Sequence, residues 1–179
     1  MSRAGEKLAG ALSAFDIDPS GCACADLGSH VGGFVDCLLQ RGAAKVYSVD
    51  TAYGTLAWKL RRDPRVVVLE RTNALHVVLP ELVDLVTIDV GWTPQRLILP
   101  HALGLLLPNG RIVTLLKPHY EADRDWLVDG VLPDDRVGVV VQHIRAQLER
   151  LGIRVERLVD SPLRGTGGNR ELFALVRPT

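Results

Sequence analysis

The chain has 179 residues, 47% hydrophobic and 23% charged, and its 21 basic residues balance 21 acidic ones. This length fits one compact domain, and the apolar content excludes a disordered chain. A formal net charge of zero excludes binding of nucleic acid through the field of the whole molecule, so any such partner needs a local surface.

The cysteines and the N-terminal residues bear on where the protein works. Cys22, Cys24 and Cys37 lack the paired spacing of a metal site, so we predict small apolar residues in a reducing cytoplasm and no bound metal. The first residues include no apolar run long enough for a signal peptide or membrane anchor. We therefore expect a single cytoplasmic domain over residues 1–179, without a membrane partner.

The predicted elements alternate between strands and helices. Leu8, Leu12 and Phe15 share one face of a predicted opening helix. Short β-branched runs then predict strands at 22–27, 45–50, 66–69, 83–90, 111–117, 155–159 and 171–176. Helical spacing predicts helices at 33–41, 56–62, 94–107 and 135–151, the third stopped by residues 108–110. Residues 118–134 are polar and are predicted to form a loop or lid. This order predicts an α/β fold with a parallel sheet covered by helices.

A glycine-rich turn follows the first predicted strand in the stretch DLGSHVGG, residues 26–33. A dinucleotide-binding turn needs a second glycine where this chain has His30, which disfavours NAD. Asp26 opening the turn and Asp50 ending the next strand suit a ligand with an amino-acid head and a ribose, which points to S-adenosylmethionine. The alternative is that the glycines serve only the packing of the strand against its helix.

Two further residues at this end of the sheet have alternative interpretations. Asn73 follows the third predicted strand and either lines an adenine pocket or caps the start of a helix. We interpret His30 as an exposed or capping residue of the turn, although a catalytic base is the other interpretation.

Several motifs together resemble the TlyA family, rRNA ribose methyltransferases with an FtsJ-type catalytic domain. The resemblance rests on SRAGEKL from Ser2, DLGSHVGGFVDCLLQRGAAKVYSVDTAYGTLAWKLRRDPRVVVLERTNAL from Asp26, DLVTIDV from Asp84, LLKPHYE from Leu115 and GGNRELF from Gly167. It implies a Rossmann-like fold of S-adenosylmethionine-dependent methyltransferases, with seven strands and an antiparallel last strand. It also implies S-adenosylmethionine as cofactor and methylation of a ribose 2′-hydroxyl in rRNA, typically at cytidine.

The resemblance also implies the site residues. The catalytic set would be Lys7, Asp89, Lys117 and Glu171, with Lys117 contacting the hydroxyl either as a neutral base or as an ammonium. Taken singly, these residues could instead be a helix-surface lysine, a turn cap, a strand end and a surface ion pair. The predicted cofactor residues are Asp26, Gly28, Ser29, Gly32, Gly33, Phe34, Asp50, Asn73 and Asp89.

The chain departs from the family pattern at three places. SHV replaces the small polar centre of the family's glycine turn, and Gly91 and Trp92 replace a serine and an aromatic residue. Trp92 could stack on a flipped base or fill the core. Family members carry an S4-type RNA-binding domain before the catalytic unit, and these 179 residues include none.

The expected partner is RNA, namely rRNA or a ribosomal subunit, and a separate RNA-binding chain could assist. A local basic stretch, Lys59, Arg61, Arg62, Arg65 and Arg71, could steer phosphates or be a solvated face. Two rival functions remain open: a small-molecule methyltransferase of the same fold, and a noncatalytic protein that binds a cofactor or the ribosome. The sequence predicts no oligomeric state.

Overall fold

The computed structural model describes residues 2–178. Its α-helices are α1 (Arg3–Ala14), α2 (Gly33–Gln40), α3 (Trp58–Arg61), α4 (Gln95–Leu103), α5 (Pro118–Glu121) and α6 (Asp134–Arg150). Its strands are β1 (Ala23–Leu27), β2 (Lys45–Val49), β3 (Val66–Leu69), β4 (Val83–Ile88), β5 (Leu106–Leu116), β6 (Ile153–Asp160) and β7 (Leu172–Pro178).

The seven strands form one sheet in the order β3-β2-β1-β4-β5-β7-β6. The first five are paired in parallel, while β7 runs antiparallel to both β5 and β6. This confirms the predicted α/β fold, including the antiparallel last strand.

Helices cover both faces of the sheet because successive strand residues point to opposite sides. Cys24 packs with residues of α1 and α2 in one apolar cluster, whereas its neighbour Ala25 packs with residues of α4 and α6 in the other. Leu8, Leu12 and Phe15 are buried in the first cluster, as the opening helix predicts. Helices therefore cover both faces of the sheet, and the edges where strands meet loops are left open.

The fourth helix and fifth strand differ from their predicted bounds. The helix predicted at 94–107 ends at Leu103, and the strand predicted at 111–117 already begins at Leu106. Leu106 pairs with Val83, and the next pair joins Arg111 to Leu85, so residues 107–110 bulge out of the ladder. Pro108 has no N–H to donate to the ladder, which explains the bulge. The turn signal at 108–110 therefore interrupts a strand rather than ending a helix.

Residues 118–134, which were predicted to form a loop or lid, contain regular secondary structure. They include α5, a short 3₁₀ helix (Arg124–Trp126) and a two-residue bridge between Val128 and Val131. Asn169 ties the segment to the β6–β7 loop, since its Nδ2 donates to Gly130 O at 3.0 Å and its Oδ1 accepts from Leu132 N at 2.9 Å. This segment is thus fixed beside the start of β7.

The candidate site residues that flank the strands lie at one edge of the sheet. β1, β4 and β5 end just before Gly28, Asp89 and Lys117, and antiparallel β7 begins just after Glu171. In an open α/β sheet this edge, at the carboxyl ends of the parallel strands, is where ligands bind. Within residues 2–178, no helix is long and apolar enough to cross a membrane, and no cluster of His, Cys, Asp or Glu could hold a metal.

Candidate active site

The glycine turn after β1 is held against two neighbouring strands. The amides of Gly28 and Ser29 both donate to Val49 O, at 2.9 and 3.1 Å. Gly28 has φ +89°, and a Cβ there would lie 2.4 Å from Asp89 O. Only glycine fits this conformation and this distance. The turn therefore packs closely against the residue that follows β4, and this leaves open space beyond the ends of β1, β2 and β4.

That room is a cavity of about 530 Å³, within the range of small-ligand sites. We name it the cofactor cavity. Asp50 lies on its wall, where Oδ2 accepts from His30 N at 2.7 Å and Oδ1 from Ala52 N at 2.8 Å. A carboxylate offers about four acceptor positions, so Asp50 can still bind two hydroxyl groups. The apolar wall consists of Val49, Ala74, Leu75, Val90 and Ile98.

Asn73 also lines the cofactor cavity. Its Oδ1 accepts from Leu75 N at 2.9 Å and so fixes a turn. The residues after it form no helix, so the interpretation of Asn73 as a helix cap is wrong. His30 is exposed and has φ 48°, and it lies beside Asp50.

Other predicted cofactor residues lie behind the cavity rather than on its wall. Gly32 packs under Leu56 and Leu60, and Gly33 packs against Ser2 and Ala4. Phe34 is buried in the core, with its ring centroid 6.0 Å from that of Phe173. These three positions match the packing interpretation of the turn. Ser29 is also buried and accepts from Ser48 Oγ at 2.8 Å.

Asp26 is fully buried beneath the turn. Thr87 Oγ1 donates to its Oδ1 at 2.7 Å, while its Oδ2 has no partner within the described residues. Burial raises the pKa of Asp26 to about 8, with smaller contributions from the charges of Asp89 and Asp50, opposed by the Thr87 hydrogen bond. The carboxyl is therefore largely protonated at neutral pH.

This burial predicts an unusual pH dependence of stability. Because the folded state holds the proton up to about pH 8, while an unfolded Asp releases it near pH 4, stability from Asp26 is complete below pH 4 and falls as the pH rises to 8. The decline is at most about 1.4 kcal/mol per pH unit. Asp26→Asn should remove it. Urea unfolding of both proteins between pH 4 and 8 measures the difference, and parallel pH profiles would contradict the prediction.

A second cavity, of about 730 Å³, adjoins the first, and we name it the catalytic cavity. All four predicted catalytic residues line it, in two ion pairs. Lys7 Nζ lies 2.6 Å from Glu171 Oε2, and Lys117 Nζ lies 2.6 Å from Asp89 Oδ1. Glu171 is only 5% exposed, which excludes the surface ion pair considered from sequence.

The two cavities share a wall formed by His30, Asp89 and Lys117. Lys117 Nζ also donates to Val90 O at 3.3 Å, so its head group is held between a carboxylate and a carbonyl. A group bound in one cavity can therefore meet a group bound in the other beside Lys117.

An aromatic pair borders the catalytic cavity. The rings of Trp92 and Tyr120 stack with centroids 4.2 Å apart, and Lys117 Nζ lies 5.7 Å from the Tyr120 ring centre. Trp92 is 76% exposed, so its interpretation as core filler is wrong. Burial and the charge of Lys117 lower the pKa of His119, which lines the same cavity.

The sequence interpretation missed Tyr120 and His119. The signal that could have found them is their position shortly after the end of β5, since His119 is two residues and Tyr120 three residues beyond Lys117. It also missed the β6–β7 loop, from which Arg164, Gly165 and Asn169 line the cavity.

The sequence of the chain is similar to those of known methyltransferases, in agreement with the two adjoining cavities. A model of the FtsJ-like methyltransferase family matches residues 1–177. The chain is 41% identical over 183 residues to the 16S/23S rRNA (cytidine-2'-O)-methyltransferase TlyA of Mycobacterium tuberculosis, covering 99% of this chain and 68% of that protein.

Solved structures give the same fold. A Lactococcus lactis protein superposes with a TM-score of 0.92 at 36% identity, covering 98% of this chain and 87% of that one. An S-adenosylmethionine-dependent methyltransferase from Mesorhizobium loti gives a TM-score of 0.66 at 19% identity, covering 94% and 96%, a likeness of fold alone. The fold is thus that of the S-adenosylmethionine-dependent methyltransferases. The chain belongs to the FtsJ-like methyltransferase family, which confirms the resemblance to TlyA proteins.

Proposed function

We propose that this protein methylates a ribose 2′-hydroxyl of rRNA, with S-adenosylmethionine as the methyl donor. The observation that carries the proposal is the catalytic cavity, which is lined by Lys7, Asp89, Lys117 and Glu171 and shares the wall at Asp89 and Lys117 with the cofactor cavity. The M. tuberculosis relative is named for cytidine 2′-O-methylation of rRNA, which supports rRNA as substrate and cytidine as target.

The residues of the cofactor cavity fit S-adenosylmethionine. Asp50 retains acceptor positions for the two ribose hydroxyls, and the low turn at Gly28 admits the ligand beside Asp89. Asn73, Leu75 and Ile98 offer a polar group and an apolar wall for an adenine ring. When bound, the cofactor supplies an activated methyl group on a sulfonium. Asp26, Ser29, Gly32, Gly33 and Phe34 would then act by shaping the turn rather than by contact.

Lys117 would act on the hydroxyl that receives the methyl group. A hydroxyl becomes a better nucleophile when its proton is removed or its developing negative charge is stabilised. The 2.6 Å contact with the Asp89 carboxylate suits an ammonium on Lys117, a form that stabilises negative charge on oxygen. The paired arrangement therefore favours the electrostatic role, in which the hydroxyl proton leaves to solvent water as the oxygen takes the methyl group. A role as base would require the ammonium first to lose a proton, and the freed amine would then take the proton of the hydroxyl.

The second pair, Lys7 with Glu171, would hold the opposite wall of the catalytic cavity. Both side chains are largely buried, at 12% and 5% exposure, so each charge needs the other. We assign them the positioning of the ribose and the balance of charge around Lys117.

The exposed stack of Trp92 on Tyr120 favours RNA over a small-molecule substrate. Its outer face is open to solvent, as a surface that stacks an unpaired base requires. A noncatalytic role would not need four ionic side chains beside the cofactor. A single domain over residues 1–179, acting in the cytoplasm where ribosomes are, completes the proposal, and a separate RNA-binding chain could assist it.

Two measurements test the function. Calorimetry should show that the protein binds S-adenosylmethionine. Nucleoside mass spectrometry should show 2′-O-methylcytidine in rRNA or ribosomal subunits that were incubated with the protein and S-adenosylmethionine. Cofactor binding without methylation of any RNA would support the noncatalytic rival. Methylation of small acceptors but not of RNA would support the small-molecule rival.

A further inference from the structure

We propose that the surface formed by residues 51–72 binds the RNA backbone that flanks the target ribose. This inference rests on the proposed function and adds a second RNA contact outside the catalytic cavity. We name this region the 51–72 surface. It has five basic and two acidic residues, a formal charge of +3 in a protein whose total charge is zero.

The 51–72 surface presents two exposed aromatic side chains, each paired with an arginine. The Arg71 guanidinium carbon lies 4.3 Å from the Tyr53 ring centre, and that of Arg62 lies 5.9 Å from the Trp58 ring centre. Tyr53 and Trp58 are 69% and 71% exposed. Aromatic faces interleaved with arginines bind single-stranded nucleic acid, because bases stack on the rings and guanidinium groups bind phosphates.

The ion pairs show which of the five basic side chains have no acidic partner and can therefore bind phosphate. Lys59 and Arg65 pair with Asp36 and Asp63, each at 2.8 Å, and Arg61 pairs with Glu70. Among residues 2–178, Arg62 and Arg71 form no ion pair. The same two arginines are the ones stacked on aromatic rings, so charge and stacking surface coincide.

The 51–72 surface is continuous with both cavities. Thr51 and Thr72 line the cofactor cavity. Ser2 and Val31 line the catalytic cavity and also a groove of about 310 Å³ that reaches Ala57 and Lys59. Ala57 N donates to Val31 O at 3.2 Å, which fixes this rim. An RNA strand leaving the catalytic cavity can therefore pass directly onto the surface.

Negative charge on the other side of the catalytic cavity also directs the RNA strand towards the 51–72 surface. Residues 121–135 include six acidic residues and one basic residue, a formal charge of −5. Leu127 and Gly130 of this segment line the cavity. Asp134 of this segment pairs with Arg164 at 2.6 Å, and the remaining excess of acidic residues repels phosphates, whereas the 51–72 surface attracts them. This difference in charge favours an exit path over the 51–72 surface.

The test is a charge reversal with a matched control. Arg62→Glu/Arg71→Glu removes the two free cations, and Arg145→Glu/Arg154→Glu makes the same change of charge on exposed residues of α6 and β6, the latter at the far edge of the sheet. The readouts are the affinity for rRNA fragments and ribosomal subunits at several salt concentrations, KM and kcat for methylation, and cofactor affinity by calorimetry.

We expect the first variant to bind RNA about tenfold or more weakly, with a salt slope smaller by about 1.4 for two lost phosphate contacts. Its KM for RNA should rise while kcat at saturating RNA and cofactor affinity stay near wild type. Equal RNA affinity and salt slope in wild type and this variant would overturn the inference, as would an equal loss in the control. If the first variant loses RNA affinity but neither the wild type nor the variants methylate RNA, the 51–72 surface is supported as an RNA-binding surface and the proposed function is wrong.

Discussion

Lys117→Ala should lower the rate of methyl transfer to rRNA by about 10²- to 10⁴-fold, the effect expected when a group that handles a proton or a developing charge is removed. The physical reason is the position of Lys117 on the wall between the two cavities, 2.6 Å from Asp89. Without the amine, the attacking oxygen loses its stabilising partner and Asp89 is left as an unpaired charge.

The measurement is single-turnover methylation, with calorimetry to show that the cofactor still binds. Lys45→Ala is the control, because Lys45 also forms a short ion pair, 2.7 Å from Glu81, and lies at the start of β2 on the opposite edge of the sheet. The control should keep wild-type activity. Equal rates in Lys117→Ala and wild type would show that Lys117 is not catalytic.

Lys117→Arg distinguishes the two roles of the amine. Arginine keeps the positive charge but does not accept a proton at accessible pH. Substantial activity in this variant would therefore support the ammonium role. A loss as large as that of Lys117→Ala, with cofactor binding intact, would favour the base.

Gly28→Ala should abolish measurable binding of S-adenosylmethionine and lower the free energy of unfolding by about 1–3 kcal/mol. The new Cβ would meet Asp89 O at 2.4 Å, so the turn must rise into the cofactor cavity or β4 must move. A displaced Asp89 would also lose its contact with Lys117, so methylation should disappear with binding.

The control for backbone strain is Gly21→Ala. Gly21 also has a left-handed backbone, φ +73°, but a Cβ there would meet no atom within 4 Å. This variant should lose only the stability that the φ angle costs, about 1–2 kcal/mol, and should bind the cofactor normally. Normal cofactor binding by Gly28→Ala would show that the cofactor lies elsewhere.

The sequence predicted the sheet, and the strand ends that carry two of the four proposed catalytic residues, because both depend on short-range patterns. Asp89 and Lys117 directly follow buried β-branched runs, so the ends of β4 and β5 could be read from the chain. Glu171 could be placed only through the family resemblance, since its position depends on β7 running antiparallel.

What the sequence could not predict depends on contacts between distant segments. Which side of the glycine turn faces the cofactor cavity depends on packing of Gly32 against Leu60 and of Gly33 against Ser2, and Phe34 lies in the core. The exposure of Trp92 depends on its stacking with Tyr120. The bulge at Pro108 required knowledge of the pairing with β4.

The sheet order has a consequence for the order of synthesis. β6 is made before β7 but pairs only with it, and β7 is the strand that joins β6 to β5. β6 therefore has no place in the sheet until the last strand has been translated, and Glu171 reaches Lys7, 164 residues earlier, at that same moment. Until residues 172–178 have been synthesised, the chain therefore lacks both the connection of β6 to the sheet and the strand that fixes Glu171 beside Lys7.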